Sequence, residues 1–563
     1  MRITRLVLAA ACGVSGLVFA GCEKALDLTN IEAVNAADVW KDASLAEAYV
    51  DRIYVDNLPG WSTAEAPQSD ESPGGTSYMY GQLTENSVNY WPYAQIRRIN
   101  ILLHDIGGGT LTPALVRRFK GEAYFFRGYQ YFELVKRYGG VPLVLVPQDV
   151  NDSLLVSRAT TSETMTQVLA DLDSAIAMLP AVSATSGQND GHVHKGTAMA
   201  LQGRVLLYWA SPQFNRSNDP QRWQQAWQAN EDAKNFLASQ GFGLHASYEK
   251  LWFEDMNKEA VFARRYTYPQ STHNWPACVR PLDESQNCTG ADRPTWEMVK
   301  AYPMRDGTPI TGSSQYDSLT YWKNRDPRFA ATIAYNGSVW ELSRKTGRRE
   351  WTYVGGETNN PTATGFYMRK AINPIENSFQ AGNSQTQWIE IRYAEVMLNL
   401  AEAANAVGQM QEAYDQLVAL RKRAGIDPGV NNLYGLQAGL SGAAMQDAIM
   451  LERRIELAFE NQRYWDLRRN MLFETQLNGT RRTGLKITLK VPTAQWLAIR
   501  DTVNLDANYA QYFTHQVVNQ DTQQPINWKT TYYFFAIPPS HLQLNSNLAQ
   551  TLGWAGGTFD PLK

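Results

Sequence analysis

The stretch PALVRRFKGEAYFFRGYQYFELVKRY at residues 113–138, followed by GGVP at 139–142, decides how the rest of the chain is read. Pro113 suits the first turn of a helix, where its missing N–H costs no hydrogen bond. Phe119, Ala123 and Phe126 recur at helical spacing on one stripe, and Phe125, Tyr129, Phe132 and Val135 form a second stripe beside it. A helix apolar on two adjacent stripes is buried between neighbours. Gly139-Gly140, with Pro142 just beyond, supplies the stop.

Outward from this segment the same period predicts helices at about 35–55, 93–106, 161–179, 195–210, 221–240, 387–406, 409–424 and 443–468. Many paired helices with short connections suggest hairpin packing of the tetratricopeptide kind, although no strict repeat of about 34 residues is present. Residues 56–92 read as a long loop, since Pro59-Gly60 and Ser72-Pro73-Gly74-Gly75 break any period. Residues 250–385 are rich in Gly, Pro, Asn, Thr and aromatics, with β-like pieces such as 365–370, and residues 480–554 are mostly irregular or short-stranded. Long ordered excursions of this kind on a helical scaffold usually carry binding work.

Composition narrows the function classes. The 563 residues carry 52 Lys+Arg against 55 Asp+Glu, with 44% apolar and 19% charged residues. A near-zero balance with no basic block gives little reason to expect a nucleic-acid partner. Aromatics are the unusual feature, at 17 Trp, 28 Tyr and 19 Phe.

The N-terminus predicts a location. Arg2 and Arg5 precede an apolar stretch from Leu6 to Ala20 that ends in small residues before Cys22, the pattern of an exported lipoprotein whose cysteine is acylated after cleavage of residues 1–21. That apolar span is short for a membrane helix. Cys22 is therefore the expected lipidation site. With Cys12 in the leader, Cys278 and Cys288 are left in the folded part, and an oxidising compartment favours a disulfide between them.

Four runs carry a resemblance. They are GEAYFFRGY with ELVKRYGGVP (121–129 and 133–142); RYAEVMLNLAEA with RKRAG (392–403 and 421–425); ERRIELAFE with RYWDLRR (452–460 and 463–469); and IPPS at 537–540, reaching Gln550 and Gly553-Trp554. Together, with Cys22 and Leu26-Asp27-Leu28 after it, they resemble the SusD/RagB family of outer-membrane nutrient-binding lipoproteins, in family order along the chain. The resemblance implies a mainly α single large domain at 22–563. Its tetratricopeptide-like helices would occupy about 35–250 and 387–470, with irregular ligand-binding excursions at about 56–92 and 250–385 and a C-terminal segment at 471–563. It also implies an outer-membrane, lipid-anchored protein facing the cell exterior. Such a protein captures oligosaccharides, or in some members peptides, and passes them to a SusC-like TonB-dependent transporter.

Catalysis has weaker support. Arg392, Glu395, Asn399 and Glu402 form a polar ladder on one predicted helix, and Glu452, Glu456, Glu460 and Arg463 form another. A glycosidase would need two carboxylates about 5–10 Å apart across a sugar bond. The favoured reading is structural, with these charges paired to Arg453, Arg454 and Arg468 to lock helices together. No nucleophile elbow, P-loop or HExxH motif appears, and His192 and His194 lack a third ligand in the sequence. No catalytic residue, metal or cofactor is assigned.

Trp209, Trp223, Trp227, Trp388 and Trp465 fall in predicted helices and are expected to pack the core. Trp61, Trp91, Trp275, Trp296, Trp322, Trp340 and Trp351 fall in or beside loops, where an exposed indole offers a flat apolar face to a pyranose ring. The resemblance points to the loop before Trp91–Ile96 and to the insertion at 266–322. The expected ligand-binding residues are Asp70, Tyr78, Trp91, Asn274, Trp275, Tyr316 and Trp322.

Overall fold

The computed structural model describes residues 38–563 apart from 150, 186–188, 287, 289 and 357–361. Cys22 and the leader lie outside the described residues. The architecture is mainly α, and several scaffold helices start where their own residues provide a cap. Asp42 accepts from the N–H groups of Ser44 and Leu45 to start Ala43–Asn57. Thr112 caps Pro113–Tyr138, and Thr160 with Glu163 forms a reciprocal box on Thr161–Met178. Pro113–Tyr138 is buried on both predicted stripes. At Gly121 and Gly128 it presses closest on its neighbour, because an added Cβ would stand 3.0 Å from Leu179 and 3.3 Å from Leu172. It ends at Gly139, whose φ of +75° favours glycine.

Consecutive helices pack in pairs: Pro113–Tyr138 on Thr161–Met178, Lys195–Ala210 on Pro220–Ser239, and Tyr393–Ala406 on Met410–Ala424. Tyr393–Ala406 also packs on Pro220–Ser239, which closes the series into one scaffold around a continuous apolar core.

The regions expected as excursions are more solid than the sequence suggests. Residues 250–372 join 485–513 in a second hydrophobic core built on Trp252, Trp275, Trp296, Trp340, Trp351 and Trp496. Three two-stranded antiparallel sheets support it: β1 (Ala260–Arg264) with β4 (Trp388–Arg392), β2 (Ile333–Tyr335) with β3 (Phe366–Met368), and β5 (Thr483–Leu489) with β6 (Phe513–Asn519). The loop at 56–92 is also ordered, with a 3₁₀ turn at Ala66–Gln68 and a helical turn at Thr76–Met79. Arg482 clasps it by donating to the carbonyls of Pro67, Ser69, Ser72 and Gly74, while its guanidinium pairs with Asp521 at 2.7 Å.

Two predicted helices are corrected. The helix expected from 387 begins at Tyr393, because Trp388–Arg392 is β4 and Trp388 is buried in a strand. The helix expected at 443–468 is two, Gly442–Glu456 and Arg463–Arg469. Phe459 and Asn461 between them adopt φ of +58° and +60°. The break lets Phe459 drop into the second core and turns Glu460 toward Arg392.

The polar ladders meet at the seam between the two cores. Arg392 donates to Glu259 and Glu456 at 2.7 Å each and to Glu460 at 2.7 Å. Arg328 reaches Glu452 at 2.6 Å and Glu456 at 2.8 Å, Arg421 reaches Glu452 at 2.8 Å, and Lys370 pairs with Glu460. Arg204 holds Glu395 at 2.7 Å, and Arg469 holds Glu402 at 2.6 Å. The structural reading stands, and of the three expected cations Arg453 does reach a ladder, donating to Asn399 at 2.7 Å, whereas the ladder carboxylates are held by other cations. Arg453 pairs with Asp466 at 2.8 Å, Arg454 with Asp70 at 3.0 Å, and Arg468 donates to the Tyr533 carbonyl at 2.7 Å. Burial alone would raise the Glu456 carboxyl, yet Arg423, Arg392 and Arg328 outweigh it and hold it well below the usual carboxylate range.

Candidate functional site

The seven expected ligand-binding residues occupy separate environments. Asp70 is 4% exposed and spends both carboxylate oxygens on Arg463 at 2.9 Å and Arg454 at 3.0 Å, so it is an internal anchor. Trp275 is also 4% exposed; it stacks on Trp61 with centroids 4.0 Å apart, and its Nε1 donates to Asp292 at 3.0 Å. No face of that indole is left for a sugar. Trp296, Trp340 and Trp351 are likewise buried. Burial is satisfied in these loops by rings contributed from distant parts of the chain, which local sequence does not reveal.

The other five stay nearer the surface. Tyr78 is half-buried, edge-on to Tyr464 and Phe535. Trp91 is half-buried and stacks on His541 at 4.9 Å, beside a surface pocket of about 320 Å³ that Tyr93, Gln148 and Asn545 also line. Trp322 stacks on Tyr335 at 5.1 Å and donates Nε1 to Asp506 at 2.7 Å. The Arg325 guanidinium lies 5.7 Å from the Tyr316 ring centroid. Asn274 is exposed at the start of the short helix Trp275–Val279. The disulfide Cys278–Cys288 closes the loop that follows.

A better-formed platform lies beside Asn274, on residues the sequence reading passed over. Tyr268 and Phe379 are 50% and 52% exposed, and their rings meet edge-on with centroids 6.5 Å apart. They border a pocket of about 330 Å³ that Glu376, Asn377, Gln380, Asn383 and Gln385 complete. The backbone here is fixed from both sides: Thr267 and Ser271 exchange hydrogen bonds at 2.7 Å, and His273 and Ser384 form a bridge at 3.2 and 2.8 Å. Asn377 and Gln380 cap the turn of helix Ser378–Ala381 reciprocally, which presents Phe379 outward. That capping uses Asn377 Oδ1 and Gln380 Oε1, so both amide nitrogens are without a partner among the described residues. Ser384 donates to Glu376 at 3.0 Å, and Arg280 stands 3.8 Å from the same carboxylate. Burial nevertheless raises the Glu376 carboxyl above its ordinary value.

Chemically, this arrangement is an apolar wall of two rings beside side-chain amides and the Glu376 carboxyl. It suits a ligand with alternating C–H faces and hydroxyls. A sequence signal existed: the run NSFQAGNSQTQ at 377–387 places one aromatic among five side-chain amides. Of the two histidines weighed as metal ligands, His194 is buried, caps Lys195–Ala210 through Nδ1 and is pushed down to about 4 by burial, while His192 stands beside Glu47 and Asp51.

Two family models match the chain, one described as the SusD family over residues 249–554 and one as starch-binding associating with outer membrane over residues 23–207. SusD-like protein P38 of Formosa agariphila is 24% identical over 490 residues, covering 80% of this chain and 88% of that protein. A SusD-like protein of Bacteroides fragilis superposes with a TM-score of 0.72 at 25% identity, covering 92% of this chain and 98% of that one. A laminarin binding SusD-like protein shares the fold with a TM-score of 0.61 at 21% identity, covering 91% of this chain and 100% of that one.

Proposed function

The chain belongs to the SusD family, and from that premise we propose that it is a surface glycan-binding lipoprotein, anchored through Cys22, that captures oligosaccharide on the Tyr268–Phe379 platform. It hands the captured chain to a SusC-like TonB-dependent transporter and performs no catalysis itself. The observation that carries this reading is the pair of half-exposed rings beside a pocket edged with uncommitted amides. Support also comes from the starch-binding, outer-membrane description matched at residues 23–207 and from a laminarin binding neighbour with the same fold. Among the described residues no helix is long and apolar enough to cross a membrane, so attachment is assigned to the lipid.

Affinity electrophoresis against laminarin, starch and other polysaccharides tests the reading. The wild-type protein should be retarded by at least one glycan, and Tyr268→Ala with Phe379→Ala should abolish the retardation without lowering the melting temperature. Retardation that survives the double substitution would move the site elsewhere. Binding to an oligopeptide pool but to no glycan would reassign the cargo, and steady release of new reducing ends would overturn the non-catalytic assignment.

A further inference from the structure

Far from that platform in sequence, helix Ala43–Asn57 carries Glu47 and Asp51 one turn apart, where side chains four residues apart face the same way. The segment before Lys195–Ala210 brings His192 to them, and one ligand atom from each of the three lies within 4.8 Å of the others. The histidine is held in place. Its backbone N–H donates to Asp190 Oδ1 at 3.1 Å, its ring packs 4.8 Å from the Tyr54 ring, and the N–H of Val193 donates to the Tyr54 hydroxyl at 2.8 Å.

Behind the imidazole stands Glu122 of Pro113–Tyr138, only 1% exposed. Its Oε2 lies 3.3 Å from His192 Nδ1, while its Oε1 has no hydrogen-bond partner and faces Arg118 Nε at 3.5 Å. With Nδ1 committed to Glu122, Nε2 is the free ring nitrogen, and it stands 4.0 Å from Glu47 Oε1. The other oxygen of Glu47 is taken by Arg118. Asp51 makes no hydrogen bond or ion pair among the described residues. Four carboxylates, those of Glu47, Asp51, Glu122 and Asp190, thus lie around one imidazole; Arg118 pairs with Glu47 and Glu122, and Arg265 donates to the Asp190 carbonyl at 2.9 Å.

We propose that Glu47, Asp51 and His192 form a zinc-class metal site, with Glu122 as the carboxylate that orients the histidine. A ligating imidazole typically gives its second nitrogen to a carboxylate, which fixes the tautomer and raises ligand basicity; the His192–Glu122 pair has this form. One nitrogen with two carboxylate oxygens suits Zn²⁺ better than Ca²⁺, which takes six or more oxygens. Tetrahedral zinc at about 2.0–2.2 Å from each ligand sets neighbouring ligand atoms about 3.4 Å apart, so the three groups need to close by side-chain rotation. Glu47 and Asp51 have the exposure to do so. The metal would staple the Ala43–Asn57 helix to the segment that starts Lys195–Ala210.

The test is calorimetric titration of Zn²⁺ into tag-free full-length protein stripped with chelator. One equivalent should bind and raise the melting temperature. Asp51→Asn, at an exposed position, should weaken binding at least tenfold while leaving the metal-free melting temperature unchanged, and His192→Gln should abolish it. Glu122→Gln should weaken it ten- to a hundredfold at unchanged stoichiometry. Absence of one-to-one Zn²⁺ binding, Ca²⁺ binding in its place, or wild-type affinity in Asp51→Asn and His192→Gln would overturn the assignment.

Discussion

The two cores of this protein are made by different means. Around Pro113–Tyr138 the core follows from helical periods, caps and close helix pairs, so each residue's burial is announced by its neighbours in sequence. The second core is assembled from short helices and, among the described residues, three two-stranded sheets, and its interior is filled by indole and phenol rings from widely separated segments. Aromatic rings supply large buried area per residue, which lets a region poor in regular structure reach a packed interior. The comparison teaches that an irregular, aromatic-rich stretch is not therefore a surface. In this chain most loop tryptophans hold the second core together, and the rings of Tyr268 and Phe379 face outward.

The seam between the cores is where the comparison is easiest to break. Arg392→Ala leaves Glu259, Glu456 and Glu460 without their shared cation, and a buried pair that loses one partner costs about 3–5 kcal/mol. Denaturant unfolding should show that loss, and a second, separate transition would mean the two cores unfold independently. Trp275→Ala should cost about 3–5 kcal/mol through the cavity it leaves against Trp61, with the melting temperature falling accordingly. An unchanged melting temperature would restore Trp275 as a surface platform. Trp465→Ala, in the helical core, should show the same destabilised pattern and serves as its control.

Acid–base behaviour sharpens the same contrast. Burial pushes the Glu71 carboxyl, which accepts from the Phe459 N–H at the seam, up to about 8, and it pushes Asp292 beneath Trp275 up to about 7. A carboxyl raised on folding contributes stability that is full below its unfolded value, near 4, and is lost as the pH rises through the folded value. Unfolding free energy should therefore decline from about pH 5 to 8, and Glu71→Gln should flatten the decline; an equal slope in the variant would refute it. Asp70 works the other way, since Arg454 and Arg463 outweigh its burial and hold it low, so its contribution is lost below about pH 4. The smallest stability effect belongs to Phe379→Ala, within about 0.5 kcal/mol as for other exposed positions. Its mark should be lost glycan retardation instead.

How far the sequence reaches follows this division. The 113–138 helix, its neighbours and the Cys278–Cys288 disulfide were legible because period, caps and cysteine arithmetic act locally. WIEIR at 388–392 was not, since its charges fit a helical ladder as well as its alternation fits a strand. The break at Phe459 was invisible because the pull on that ring comes from residues far away in sequence. At the proposed platform, Tyr268 falls inside the insertion expected at 266–322 and Phe379 falls outside it, and neither ring was among the residues expected from the sequence. Whether a loop ring faces in or out depends on partners such as Trp61 and Trp388, which no local pattern connects to Trp275.

Arg482 has a consequence for how the chain is made. Its contacts to the carbonyls of Pro67, Ser69, Ser72 and Gly74 span 408 to 415 residues. Links of such high contact order form late, because the closure entropy of the intervening loop comes before any reward. The 67–74 turn therefore gains this clasp only after residues more than 400 positions away have come into place. A C-terminal truncation before residue 482 would leave the turn permanently without it.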